Sequence, residues 1–297
     1  MNVRRKIRVA ILDLYEGQPN QGMRCLREIL QQWGDTHELD IHLDEFEVRL
    51  EKQIPDLSYD VYISSGGPGD PLENGTIPWE AGYFQWLREV EQYNRAAAGL
   101  QSDLPAGTTG KGSGSSPKHV LFICHSFQLA CRYFTLARIT RRRSTAFGVF
   151  PVHLQQDGMD EPLFNGLPDP FFAVDSRDYQ VTSPDTQRLR QLGAHVLAIE
   201  KERPHVPLER AVMAVRFNPC MIGTQFHPEA DATGMSMYLQ REDKKQTVIA
   251  EHGEEKWRSM IEHLNDPDKI RSTYSHVIPN FLDNALLPDG RALAKTT

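Results

Sequence analysis

VLFICHSFQLAC, residues 120–131, contains a change of backbone period. Val120 to Ile123 form an apolar run of strand character, and an amphipathic pattern of helical spacing follows at once, so the chain turns sharply at Cys124. A residue on such a corner stands above the edge of a sheet and at a helix amino terminus. There, unpaired N–H groups and the helix dipole favour a thiolate and can hold an oxyanion. The competing reading of Cys124 is a small buried hydrophobe, the common fate of a free cysteine.

Upstream, IRVAILDL (7–14) reads as a strand covered on both faces, MRCLREILQQW (23–33) as a helix and LDIHLDEFEV (39–48) as a strand. DVYISSGGPGDP (60–71) is a strand ending in a glycine-proline turn, and WEAGYFQWLREVEQY (79–93) is helical. Strands alternating with helices predict an α/β fold, a doubly wound, mostly parallel sheet flanked by helices with its site at the carboxyl ends of the strands. From about 138 to 226 the pattern becomes strands and turns, and from 232 it is helical and charged. Residues 1–231 are therefore expected to form the main domain, with 232–297 as a helical insertion or extension packed on it. The charged piece at 232–275 reads as a solvated amphipathic helix pair, with a lid or docking surface as the alternative. Residues 101–117, QSDLPAGTTGKGSGSSP, read as a mobile surface loop. Their TGKGSG is no phosphate loop, because Lys111 precedes Gly112 rather than Ser or Thr and no strand leads in.

The 297 residues, 39% of them hydrophobic, suffice for a sizeable core. A net charge of -7 argues against nucleic acid or an anionic membrane surface as the main partner. Cys25, Cys124, Cys131 and Cys220 lack C-x-x-C spacing, and the histidines lack ligand spacing, so neither a disulfide framework nor a metal site is expected. This suits a reducing, cytoplasmic setting. The basic amino terminus precedes an apolar run, but Asp13 interrupts that run and no cleavage site follows, so a buried first strand is read rather than a signal peptide. ARITRRRS (137–144) reads as a solvated strand-and-turn edge, the alternative being an anion site or a partner interface.

A nucleophilic cysteine needs a base, and the base needs an orienting group. GTQFHPEAD (223–231) offers His227 after a strand, with Glu229 two residues on across a stiffening proline. A carboxylate on one imidazole nitrogen fixes the tautomer and leaves the other nitrogen for the thiol. A plain His-Pro-Glu surface turn is the alternative. SSGGPGDP (64–71) ends a strand with glycines that let a backbone N–H approach a ligand, or it is an ordinary turn.

Together and in this order, SGGPGDP, FICHSFQ and QFHPE resemble the oxyanion turn, nucleophile elbow and closing motif of the class I glutamine amidotransferases, over roughly residues 7 to 231. The look is closest to the glutaminase part of GMP synthase, and the resemblance implies a flavodoxin-like architecture in which IPNFLDNALL (278–287) is the last helix of the domain. It implies Cys124 as nucleophile, His227 as general base and acid, and Glu229 as its orienting group. The N–H groups of Gly67 and His125 would hold the oxyanion, and Gln128, Ser176 and Arg177 would contact the substrate. The elbow glycines are replaced by Phe122 and Ser126, which implies a reshaped pocket or a substrate other than free glutamine. The His125 side chain is expected to point to solvent.

The implied reaction is hydrolysis of the side-chain amide of glutamine, or of a close γ-glutamyl compound, through a thioester, without cofactor. Ammonia would pass to a separate synthase. Three other readings share the elbow: a γ-glutamyl peptide hydrolase, a homoserine-type acyltransferase, and an inactive or partner-gated module with Phe122 blocking the pocket.

Overall fold

A computed structural model describes residues 4–73, 78–99, 116–203, 207–264 and 267–287. The expected loop at 101–117 lies outside the described residues up to position 115. In chain order the elements are β1 (Lys6–Asp13), α1 (Gly22–Thr36), β2 (Asp40–Glu47), β3 (Val61–Ser64), α2 (Pro78–Ala97), β4 (His119–Ile123), α3 (His125–Tyr133) and β5 (Arg138–Leu154). There follow the single turn α4 (Gln156–Met159), β6 (Phe171–Thr182), α5 (Thr186–Leu192), β7 (His195–Glu200), β8 (Val212–Asn218), β9 (Met221–Thr224), α6 (Ala232–Leu239), α7 (Glu242–His252), α8 (Glu254–Leu264) and α9 (Pro267–Leu286).

The strands form one sheet in the order β2-β1-β3-β4-β9-β8-β7-β5-β6. From β2 to β9 the neighbours are parallel, and from β9 to β6 they are antiparallel. This is the expected flavodoxin-like sheet with helices on both faces, extended by a curled antiparallel half and a helical carboxyl-terminal segment. The apolar runs of the parallel half are explained by two-sided burial. Along β4, Leu121 and Ile123 face a core layer shared with α1 and α9, while Val120 and Phe122 face a second layer beneath α2 and α3. Side chains as large as Trp86, Tyr83, Phe122 and Phe127 are fully enclosed there, each stabilising the fold by about 1.5–3 kcal/mol.

The segment after residue 231 forms three helices before α9 rather than a solvated pair. Met235, Leu239, Val248, Met260 and Ile270 bury a third apolar cluster against Val149 of β5 and Val174 of β6. β5 is one strand of 17 residues, with a register shift between Arg141 and Ala146 where it pairs with β6. ARITRRRS is thus mostly strand. Arg141 and Arg143 are exposed as a solvated edge requires, but the Arg142 side chain is only 10% exposed and is ion-paired to Glu200.

The chain leaves β1 for α1 on one face and leaves β3 for α2 on the other. The winding reverses between β1 and β3, so the carboxyl ends of β1, β3 and β4 are where a sheet of this kind places its site.

Candidate functional site

Cys124 caps α3 with φ 49° and ψ -98°. A side chain held in that region costs about 1–3 kcal/mol and persists only where its surroundings fix it. Here the Cys124 N–H donates to the Thr224 carbonyl at 2.8 Å, and the Cys124 carbonyl accepts from Gln128 N–H at 3.1 Å.

The two replaced elbow glycines have clear packing roles. Ser126 is fully buried, and its Oγ accepts from Ile123 N–H at 2.8 Å while donating to the Ser64 carbonyl at 2.7 Å. The hydroxyl thus ties the elbow to the end of β3. Ser126→Ala is expected to cost about 1–3 kcal/mol, because a buried N–H and carbonyl each lose a partner. Urea denaturation measures this, and an unchanged midpoint would mean the hydroxyl contributes nothing.

Phe122 does not enter the Cys124 side of the sheet. Its ring lies in the opposite layer, edge-on to Phe217 at 5.7 Å. The space a glycine would leave at 122 is supplied by its register partner on β9, Gly223. A Cβ on Gly223 would come within 2.8 Å of Phe127 Cδ2 and 3.1 Å of Phe122 Cβ. The Phe122 ring is thus accommodated in the layer away from Cys124 and does not block a pocket on that side.

His227 follows β9, and its N–H donates to the Val174 carbonyl of β6 at 2.9 Å. Its Nδ1 lies 2.8 Å from Glu229 Oε1, with the two side chains 13% and 2% exposed. The ring stands beside Cys124 at the glycine turn: a Cβ on Gly66 would fall 2.8 Å from His227 Cε1 and 3.5 Å from Cys124 Cβ. Burial alone would push the His227 pKa down, but the Glu229 carboxylate and the Cys124 sulfur outweigh it and hold the pKa well above the ordinary imidazole value. His227 and Glu229 are thus a hydrogen-bonded pair set beside Cys124.

Around the sulfur, the thiol lies 3.7 Å from the Ser176 carbonyl, and Gln225 Nε2 donates to Sγ at 3.6 Å. Gln128 sits behind, donating to Gln225 Oε1 at 3.1 Å and to the Tyr179 carbonyl at 3.2 Å. The Arg177 guanidinium turns away into an ion-paired group with Asp175 and Glu200. What β6 presents to Cys124 is the Ser176 backbone. Gly67 is pressed against the chain that follows β1, so closely that a Cβ would fall 2.1 Å from the Leu14 carbonyl oxygen. Gly67→Ala must shift this turn, and a displacement near 1 Å is worth about 10²-fold in rate. On the reaction expected from the sequence, glutamine turnover by this variant should lose about 10²-fold in kcat with little change in KM, whereas unaltered kcat would separate the turn from that chemistry.

The His125 side chain is buried rather than solvent-facing, at 3% exposure. Burial, reinforced by the nearby Arg49 and Arg132 cations, pushes its pKa down to about 3, so it is neutral. Two residues went unnoticed in the sequence. Gln225, fully enclosed, was visible only as the first letter of QFHPE. Tyr15, just past β1, stands beside Glu229, both bordering Gly22, where a Cβ would fall 2.5 Å from Tyr15 Oη and 3.2 Å from Glu229 Oε1, and burial, reinforced by the Glu229 charge, holds its phenol well above its usual pKa. Among the described residues, no three His, Cys, Asp or Glu side chains gather as metal ligands, and no helix is long and apolar enough to cross a membrane.

No family model and no curated protein matches the chain by sequence. Solved structures do match. A glutamine amidotransferase from Thermotoga maritima aligns with a TM-score of 0.62 at 15% identity, over 94% of this chain and 97% of that one. A glutamine amido transferase from Methylobacillus flagellatus aligns at 0.54 and 13%, over 94% and 96%. The glutaminase domain of Trypanosoma brucei CTPS with bound acivicin aligns at 0.52 and 13%, over 92% and 93%. The likeness is one of fold, and the chain has the class I glutamine amidotransferase fold.

Proposed function

From that fold and the group on Cys124, we propose that the protein is a cysteine-dependent glutamine amidotransferase that hydrolyses the side-chain amide of glutamine, or of a close γ-glutamyl compound. The observation that carries the reading is a cysteine at φ 49° beside an imidazole that Glu229 holds at 2.8 Å. A buried cysteine with only a packing role has no need of the strained backbone or of the oriented imidazole.

In this reading the Cys124 sulfur attacks the amide carbon, and the carbonyl electron pair moves onto oxygen. The N–H groups of Gly67 and His125 receive that oxyanion, a contribution worth about 10²–10³-fold per donor. The tetrahedral species collapses with cleavage of the C–N bond. His227, protonated and fixed through Nδ1 by Glu229, gives its proton to the departing nitrogen, leaving ammonia and a γ-glutamyl thioester. Neutral His227 then takes a proton from water, which attacks the thioester and releases glutamate and Cys124. Gln128, through Gln225, and the Ser176 backbone line the substrate side. The liberated ammonia would serve a separate acceptor enzyme in the cytoplasm.

Glutamate release from glutamine, together with the intact mass of the protein trapped in turnover, tests the proposal. Glutamate and a γ-glutamyl adduct on Cys124 are the expected results. Turnover of a γ-glutamyl peptide but not glutamine would move the reading to a peptide hydrolase, and turnover of an acyl-CoA would move it to an acyltransferase.

A further inference from the structure

In the antiparallel half of the sheet, four guanidinium groups gather around the buried acids Asp175 and Glu200: Arg142 from β5, Arg177 from β6, Arg203 after β7 and Arg210 before β8. Asp175 is taken up by Arg177 Nε at 2.8 and 2.9 Å. Glu200 Oε1 faces Arg142 Nη2 at 3.2 Å and Arg177 Nη2 at 3.4 Å. Its Oε2 faces Arg203 Nη2 at 2.9 Å and accepts from Ala211 N–H at 3.3 Å. Its backbone carbonyl accepts from Arg210 Nε at 2.6 Å. Among the described residues, Glu202 lies 4.0 Å from Arg210 Nη1 and is 73% exposed, and Arg203 Nη2 also donates to the Glu209 carbonyl at 3.3 Å.

Three donors are left over. Arg142 Nε, Arg203 Nε and Arg210 Nη2 are buried without a hydrogen-bond partner among the described residues. A buried donor left unpaired costs about 1–3 kcal/mol, more when it is charged. Four cations against two buried anions add repulsion in a site where solvent screens little. Both penalties disappear if a doubly charged oxyanion meets the three free donors.

We propose that Arg142, Arg203 and Arg210 form a binding site for a phosphate group, carried either as inorganic phosphate or as a phosphomonoester of a small molecule. Guanidinium forks suit phosphate oxygens, and the two surplus charges match the roughly −1.5 to −2 that a phosphomonoester carries at pH 7. Arg203 and Arg210, with side chains 19% and 29% exposed, form the solvent side by which the anion enters, while Arg142 at 10% forms the floor. The site is independent of the glutaminase reading, and its test does not use turnover.

Thermal unfolding of the full chain in rising inorganic phosphate, against sodium chloride at matched ionic strength, reads this site. The expected result is a saturable rise in Tm with phosphate alone. R203Q and R210Q should each weaken the apparent affinity by about tenfold or more, the weight of one charge-assisted hydrogen bond. R210Q replaces the most exposed of the three, so it decides the matter if R203Q unfolds. Phenyl phosphate binding more tightly than inorganic phosphate would identify a phosphomonoester ligand, and equal binding would identify the free ion. A phosphate response no larger than that of chloride, or one undiminished in R210Q, overturns the proposal.

Discussion

Cys124→Ala should lower glutamate release from glutamine by at least about 10⁴-fold, the scale on which removing a nucleophile acts, while changing unfolding free energy by no more than about 1 kcal/mol. The two halves of this expectation come from opposite features of one residue. In the proposed reaction no thioester could form without the sulfur, and the N–H groups of Gly67 and His125 would be left to stabilise a slower direct attack by water. The stability term is small because a single buried sulfur is lost from a backbone position that already carries strain at φ 49°. A buried cysteine that merely packs predicts the reverse: ordinary activity and a loss of stability. Steady-state kinetics and urea melts on the same sample separate the two, and Cys124→Gly, which tolerates the positive φ, should be as inactive as alanine without being less stable than it.

The parallel half of this fold was legible in the sequence because burial on both faces leaves a simple mark: runs such as IRVAILDL and VLFI have no polar alternation to misread. The elbow was legible because a strand and a helix met at one residue. What the sequence concealed depended on partners distant along the chain. Phe122 reads as an intrusion into the pocket until Gly223, 101 positions later, is seen as its register partner. Arg142 looks like one member of a solvated arginine run until Glu200 is found at 3.2 Å. His125 follows the nucleophile and looks free to face solvent, yet the helix start turns its ring into the protein. Periodicity tells which face a residue occupies and says nothing of which strand lies beside it. The antiparallel half, where β5 pairs with β6 and β7, therefore came through as a string of separate strands.

Glu229→Gln should lower glutamine turnover by about 10³–10⁴-fold, close to what the equivalent carboxylate-to-amide change costs in a serine-histidine-aspartate site. The amide keeps the shape but cannot hold Nδ1–H of a positively charged imidazole, so His227 loses both its tautomer and its reason to stay protonated. The same change has a signature in stability. In the wild type, burial works against the imidazolium, and the Glu229 carboxylate is the first of the charges that overcome it. A histidine whose folded pKa is raised contributes stability that is fully present below its unfolded value, about 6.5. That contribution is lost as pH rises through the folded value. Removing the carboxylate removes the contribution, so the gap in unfolding free energy between wild type and Glu229→Gln should be widest below pH of about 6.5 and should narrow above the raised His227 value. Urea melts of the two proteins on either side of that window measure it. A gap of constant size would mean that Glu229 holds His227 by shape alone, and the activity loss would then have to come from ring orientation rather than from charge.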